Sequence, residues 1–321
     1  MKKAFLLIAS AALALCACNK VDHPEGGEKE APLVYHLNIQ ASMDPQTKGV
    51  TFGAEGNTIS SFFEETDCVY VYNETKKAFA RVESGELTAL HPSNISSSGT
   101  SCTLSGDLLF YSWGGNGWTP IEIDGTDTYA LYYQMNYPSS GPSMFPSYCY
   151  EEQYGGVSSA SASDFAIATG VSMIETDTTL SVEDGVNLTN IQSMFRLHLS
   201  FTKEGIDVTP NDIASLTISS SNGALILYYY PTDSDDPFLY SDLLVFNPTI
   251  SSNNDIFYSL AFRYDENRPA AGDALVLTAI DVEGNIYQGT KDAPSGGFAD
   301  GKYYYGSMSL EIGRASCRER V

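Results

Sequence analysis

The sequence predicts an all-β protein built from two β-sandwich domains, and three observations carry that prediction. Tyr is abundant, at 21 of 321 residues, and Ser, Thr, Gly and Asn fill the gaps between short apolar runs, a composition that suits pleated, half-buried strands. No long stretch carries the 3.6-residue period of an amphipathic helix. Runs of strand length recur with turn residues between them, the pattern of a sandwich. The length suits two domains of ordinary size, placed at residues 33–190 and 191–311 with the boundary near Asn190.

Taken in order, the chain opens with Lys2 and Lys3 and an apolar run from Ala4 to Leu15. Residues 1–17 read as a secretory signal peptide. The run falls short of the roughly 20 apolar residues that a membrane-spanning helix needs. Leu15-Cys16-Ala17-Cys18 resembles a lipoprotein lipobox. That resemblance implies cleavage before Cys18 and acylation of its thiol and new amine. Several acyl chains anchor stably where one is marginal, at about 0.8 kcal/mol per buried methylene. Residues 18–32 are polar and read as a flexible tether.

The first strand is expected over Leu33–Met43, where Tyr35, Leu37, Ile39 and Ala41 alternate with His36, Asn38 and Gln40. Asp44-Pro45-Gln46-Thr47-Lys48-Gly49 breaks it. Further strands are expected over Asp67–Tyr72, Ala78–Val82, Ser101–Ser105, Asp127–Met135, Phe165–Thr169 and Thr178–Val182. Trp113–Gly125 and Tyr137–Gly156 are rich in Gly, Pro, Ser and aromatics and read as long loops. In the second half Phe195, Leu197, Leu199 and Phe201 alternate with Arg196, His198 and Ser200. Ile213–Ser219 and Ala224–Tyr230 flank Ser221-Asn222-Gly223, a hairpin signal. Ile256–Phe262, Ala274–Val282, a turn at Gly284-Asn285, Ile286–Thr290 and Lys302–Leu310 follow. Residues 312–321 hold three of the seven arginines and resemble a translated sequencing adapter; they read as a non-native tail.

Between Cys18 and Glu311 the chain keeps 12 of its 17 Lys and Arg and 39 of its 40 Asp and Glu, a net charge of −27. Such a surface repels nucleic acid and anionic lipid and favours solubility. Cys68, Cys102 and Cys149 leave any disulfide pairing open. Cys68 and Cys102, inside strand-like runs, suit buried apolar filling.

No catalytic set stands out. His23, His36, His91 and His198 lack metal-ligand spacing, with His198 on the polar face of its strand, and no Gly-x-Ser-x-Gly elbow appears. Asp233-Ser234-Asp235-Asp236 lacks the glycine and closing Glu of a calcium loop and reads as a solvated turn. Neither a cofactor nor a metal is expected. Trp113 and Trp118 bracket Gly114-Gly115-Asn116-Gly117 and are candidate ligand contacts, joined by Tyr148, Tyr150 and Tyr154; rings of this kind stack on sugars or anchor a partner. The same rings also suit a structural role, capping a sandwich end.

These residues resemble the fimbrillin-like surface lipoproteins of Bacteroidales, the subunits of their pili. The lipobox is followed by a tether and a first strand. Thr47-Lys48-Gly49 precedes Thr66-Asp67-Cys68-Val69-Tyr70-Val71-Tyr72, similar to the family's Gly-Asp-x-Ile-x-Val-Tyr strand, with Thr66 where the family has Gly. Cys102-Thr103-Leu104-Ser105-Gly106 is similar to its Thr-Phe-x-Gly strand end. Asp281–Tyr287 and Phe298–Tyr305 are similar to its closing hairpin and last strand.

The resemblance implies two tandem transthyretin-like β-sandwiches. It implies a surface-exposed, non-enzymatic pilus subunit or anchor at the outer membrane and in the fimbrium. Proteolytic processing after Lys48 would discard the first strand, and a strand from another pilin subunit would fill the groove by β-augmentation. Partners are then other pilin subunits, the outer membrane through the lipid on Cys18, and a host or glycan ligand. Retention of an uncut, anchored chain fits the exposure of Lys48 equally well. An alternative is a membrane-retained glycan-binding lipoprotein using Trp113 and Trp118; a lipid-anchored hydrolase is a third reading.

Overall fold

In the computed structural model the described strands run from Tyr35 to Ile312. The structure describes residues 32–43, 51–52, 59–60, 62–82, 85–114, 117–135, 147–151, 153–209, 212–232, 238–262 and 269–312. Cys18, Lys48 and the acidic run at 233–236 lie outside them, as do the expected signal, the tether but for Pro32, and the expected tail but for Ile312, which instead closes the last strand opposite Tyr287.

In order the strands of the first half are β1 (Tyr35–Met43), β2 (Thr51–Phe52), β3 (Ile59–Ser60), β4 (Val69–Asn73), β5 (Ala78–Phe79), β6 (Ala89–Ser93), β7 (Ser101–Leu108) and β8 (Phe110–Gly114). They continue with β9 (Gly117–Ile121), β10 (Thr128–Tyr133), β11 (Tyr148–Cys149), the short helix α1 (Val157–Ala162), β12 (Ala166–Ser172), β13 (Ile174–Thr176), β14 (Thr179–Ser181) and β15 (Val186–Asn190). The second half holds β16 (Ser193–Lys203), β17 (Ile206–Asp207), β18 (Ile213–Ser220), β19 (Leu225–Tyr229) and β20 (Phe238–Tyr240). It ends with β21 (Leu243–Phe246), β22 (Asp255–Phe262), β23 (Ala274–Asp281), β24 (Ile286–Asp292) and β25 (Tyr303–Ile312).

The protein is all-β, as expected, and its strands form two sandwiches. The first follows the order β13-β14-β1-β15-β12-β10-β4-β6-β7, and β7 returns to pair with β1. That return closes a ring around a core that includes Leu37, Ile39, Val71, Leu104, Leu131 and Leu188. The second follows β11-β19-β22-β16-β25-β24-β23-β18-β21 around Leu197, Leu199, Leu216, Ile218, Leu260 and Leu277. In both, alternate side chains enter the core because successive residues of a strand point to opposite faces.

The two sandwiches meet without an exposed linker. Ile191 and Gln192, between β15 and β16, are buried. The Asp164 carboxylate accepts hydrogen bonds from the amides of Asn190 at 2.9 Å and Gln192 at 2.5 Å. A separate aromatic cluster joins Tyr72, Phe79 and Tyr132 to Tyr148, Phe165 and Ile226. The described residues from Leu33 onward form one compact unit.

Several expectations are corrected. Ser221-Asn222-Gly223 does turn the chain, with Gly223 N donating to Ser220 O at 2.9 Å, but its flanking strands do not form a hairpin. Both edges of β18 are taken, by β21 and β23, so β19 crosses to the other layer and pairs with β22 and β20. Trp113–Gly125, expected as a loop, holds the end of β8 and all of β9, which pair in register from Phe110↔Ile121 to Gly114↔Gly117. The expected loop Tyr137–Gly156 contains β11, which pairs with β19 of the second sandwich. Among the three described cysteines, all free, Cys102 is buried as expected, whereas Cys68 stands half-exposed ahead of β4.

Candidate functional site

The first strand is the feature that the fold sets apart. Tyr35, Leu37, Ile39, Ala41 and Met43 of β1 are each at most 4% exposed, while His36, Asn38 and Gln40 face outward. One edge pairs antiparallel with β7 over eight positions, from Tyr35↔Leu108 to Ser42↔Ser101. The other edge pairs in parallel, first with β14 at His36 and Leu37, then with β15 from Ala41 to Met43. The hop from β14 to β15 brings the chain against β1 at Gly185. Its φ is +75°, and a Cβ there would stand 2.8 Å from the Gln40 carbonyl oxygen, so only glycine fits the approach.

Side chains add to the ladder. His36 Nδ1 lies 2.5 Å from the Asp107 carboxylate, Gln40 Nε2 donates to Thr103 Oγ1 at 3.0 Å, and Ser42 Oγ donates to Asn187 Oδ1 at 3.1 Å. The Tyr35 hydroxyl accepts from Ile123 N at 3.1 Å, and its ring meets Phe110 edge-on. Burial raises the Tyr35 phenol above its ordinary value, against the pull of that hydrogen bond. Burial, with the Asp67 charge beside it, pushes the Cys102 thiol opposite Ala41 up to about 12. An inert thiol belongs to a packed wall rather than to reaction chemistry.

Five inward side chains at about 2 kcal/mol each hold β1 by on the order of 10 kcal/mol of apolar contact. No described strand precedes β1, so it can leave its slot without unthreading another strand. Its departure would uncover core side chains such as Leu104 and Leu188 and unpair backbone groups on β7, β14 and β15, a state that favours refilling. Lys48 stands five residues beyond Met43, outside the described residues, as does Cys18.

The two tryptophans sit elsewhere. Trp113 and Trp118 are register partners across the β8–β9 pair; the Trp113 side chain lies outside the described residues. The half-buried Trp118 ring carries the Arg81 guanidinium 4.1 Å from its centroid, a cation–π contact. It also packs so closely on Gly85 that a Cβ there would lie 2.0 Å from the indole nitrogen. Arg81 is itself buried and donates to Gly85 O at 2.6 Å. Tyr148 and Tyr150 are buried in the aromatic cluster between the sandwiches, and Tyr154 is exposed. The structure therefore does not gather these tyrosines into an open platform with Trp118.

Sequence reading missed the role of Asp67, which sits in the motif Thr66–Tyr72. Its buried carboxylate accepts from Glu64 N at 2.7 Å, from the Gln134 amide at 2.8 Å and from the Tyr133 hydroxyl. It ties the turn ahead of β4 to the end of β10; an acidic residue followed by a run of strand formers was the available signal. His198 Nδ1 lies 3.1 Å from Asp255, which also receives Arg196 Nε at 2.9 Å and Nη2 at 2.5 Å. Among the described residues no three His, Cys, Asp or Glu converge as a metal group, and no helix is long and apolar enough to cross a membrane.

No protein-family model and no curated protein matches the chain. Among solved structures it is similar to a fimbrial protein of Bacteroides ovatus at 12% identity and a TM-score of 0.30, covering 88% of this chain and 50% of that one. The chain thus spans half the length of that protein. It is similar to a candidate cell-adhesion protein of Bacteroides uniformis at 13% identity and a TM-score of 0.39, covering 87% and 97%. A candidate polysaccharide-binding protein of Bacteroides thetaiotaomicron is similar at 11% identity and a TM-score of 0.42, covering 84% and 90%. At these scores no residue role passes from them to this chain.

Proposed function

We propose that this protein is a structural or adhesive subunit of a bacterial surface pilus. It is exported as a lipoprotein acylated on Cys18 and reaches the outer surface of the outer membrane. Cleavage after Lys48 then frees residues 18–48, β1 included, and a strand from another subunit takes the vacated slot. Main-chain hydrogen bonds from β7 on one side and β14 and β15 on the other give affinity, and the alternating inward pockets give register.

One observation carries this reading. The N-terminal strand is buried on its inner face, paired on both edges and preceded by no other described strand. Such a strand can be withdrawn without unthreading another described strand, as replacement by a donated strand requires. Mass spectrometry of surface material tests it. Subunits recovered from assembled fibres are expected to begin at Gly49. Recovery of the lipidated chain from Cys18 alone would sink polymerisation through the β1 slot.

A further inference from the structure

The second sandwich carries at one end an open cleft of about 660 Å³, within the size range of small-ligand sites. Its lining includes the half-buried apolar side chains of Val208, Ile213 and Ile250. The lining also includes the polar residues Ser200, Asp207, Thr209, Asp212, Asn247 and Asn254. We propose that this cleft binds the end of a neutral, polyhydroxylated ligand, a saccharide.

The backbone around the cleft is already committed. Leu199 N donates to Asn254 O at 2.8 Å, Val208 N to Phe201 O at 2.9 Å, Asn247 N to Ala214 O at 2.8 Å and Asn254 N to Ser251 O at 2.9 Å. An extended peptide would find these strand-edge groups paired, so recognition falls to side chains. Among the described residues, the side chains of Ser200, Asp207, Asp212, Asn247 and Asn254 make no hydrogen bond. Carboxylates and amides of this kind accept from and donate to adjacent hydroxyls, while the half-buried Val208, Ile213 and Ile250 offer apolar contact to the C–H groups of a sugar.

Charge narrows the class. Asp207 and Asp212 line the cleft and no lining residue is Lys or Arg, so sialylated, uronic or sulfated sugars are repelled. Asn247 and Asn254 hold left-handed φ angles of +49° and +58°, which asparagine adopts at turns more readily than most side chains. His198 on the same wall is fixed by Asp255 at 3.1 Å.

The test titrates the full chain with oligosaccharides ending in mannose, galactose or N-acetylglucosamine, and with sialylated and sulfated counterparts. At least one neutral sugar is expected to bind. Asp212→Ala and Asn254→Ala should each weaken it about tenfold or more, as for lost hydrogen bonds to a ligand hydroxyl. Both side chains are exposed, and an unchanged far-UV spectrum verifies folding, with Asp207→Asn as the substitute for any variant that fails. Absence of binding by every neutral sugar, preference for the anionic ones, or binding unaltered in these variants would overturn the proposal. So would binding lost in Trp118→Ala alone. None of these outcomes depends on cleavage at Lys48, so the pilus reading stands or falls separately.

Discussion

Replacing Ile39 by Ala tests how β1 is held. Ile39 lies opposite Leu104 in the β1–β7 ladder and is 2% exposed, with its side chain in the first core. The change removes three carbons, about 2.4 kcal/mol of transfer free energy at about 0.8 kcal/mol each. The surrounding ring of strands is closed and cannot collapse fully into the hole, so a cavity cost is added. The expected total is about 3 kcal/mol, within the range for such truncations. At about 2.1 cal/mol/K of unfolding entropy per residue, that lowers the thermal midpoint of a chain of this size by roughly 5 °C. Asn38, one residue earlier, faces outward, and Asn38→Ala should stay within about 0.5 kcal/mol of the parent. Urea unfolding of the full chain, followed by far-UV circular dichroism, reads both. A loss below about 1 kcal/mol for Ile39→Ala, or an equal loss for Asn38→Ala, would refute the inward register of β1 and the slot derived from it.

Three further outcomes follow from the packing and the titrating groups. Tyr148 is fully buried and meets Phe165, Tyr229 and Tyr132 at ring separations of 4.7, 5.9 and 6.3 Å. Tyr148→Ala should cost about 3–5 kcal/mol in urea unfolding, and a loss under about 1 kcal/mol would contradict the aromatic tie between sandwiches. Tyr133→Phe removes the hydroxyl that donates to buried Asp67 and should cost about 1–3 kcal/mol, measured in the same way; no loss would remove Asp67 as an organiser of that turn. At Asp281, removal from water pushes the carboxyl up, and hydrogen bonds from Asn285, Glu283 N and Tyr287 outweigh it, leaving it below its ordinary 3.8. A depressed carboxyl adds stability above its unfolded value, and that stability is lost as pH falls through the folded one. The gap between parent and Asp281→Asn should therefore be full at pH 6 and close below about pH 3.8; a gap unchanged to pH 2 would contradict this.

Alternation made β1 legible, because one buried and one solvated face leave a period of two in the residues themselves. The closing hairpin was legible for a related reason: Gly284 takes a positive φ of 83° and Asp281 caps the turn with bonds to Glu283 N and Asn285 N. β15 escaped notice although Val186, Leu188 and Asn190 alternate inward, since asparagines and Gly185 weaken the strand signal. Ser221-Asn222-Gly223 misled because a turn sequence fixes a reversal of direction and not which strand the chain joins next. That choice was made by β21 and β23, far away in sequence. The Trp113–Gly125 and Tyr137–Gly156 stretches read as loops because Gly, Pro and Ser mask short strands, β8 and β9 pairing locally and β11 pairing with distant β19. The cleft of the second sandwich was not legible at all, since β16, β17 and the 247–254 segment meet only in the fold.

Strand exchange in vitro tests the β1 slot most directly. The full chain, nicked after Lys48 by a trypsin-like protease, is incubated with a labelled peptide of residues 33–43 and in parallel with its Ile39→Asp form. With about 10 kcal/mol of apolar contact to exchange, warming or mild urea sets the pace. The slot account predicts that the native peptide enters stoichiometrically and the Ile39→Asp peptide does not. Failure of the native peptide to enter once the resident strand has left, or equal entry of both, would contradict it.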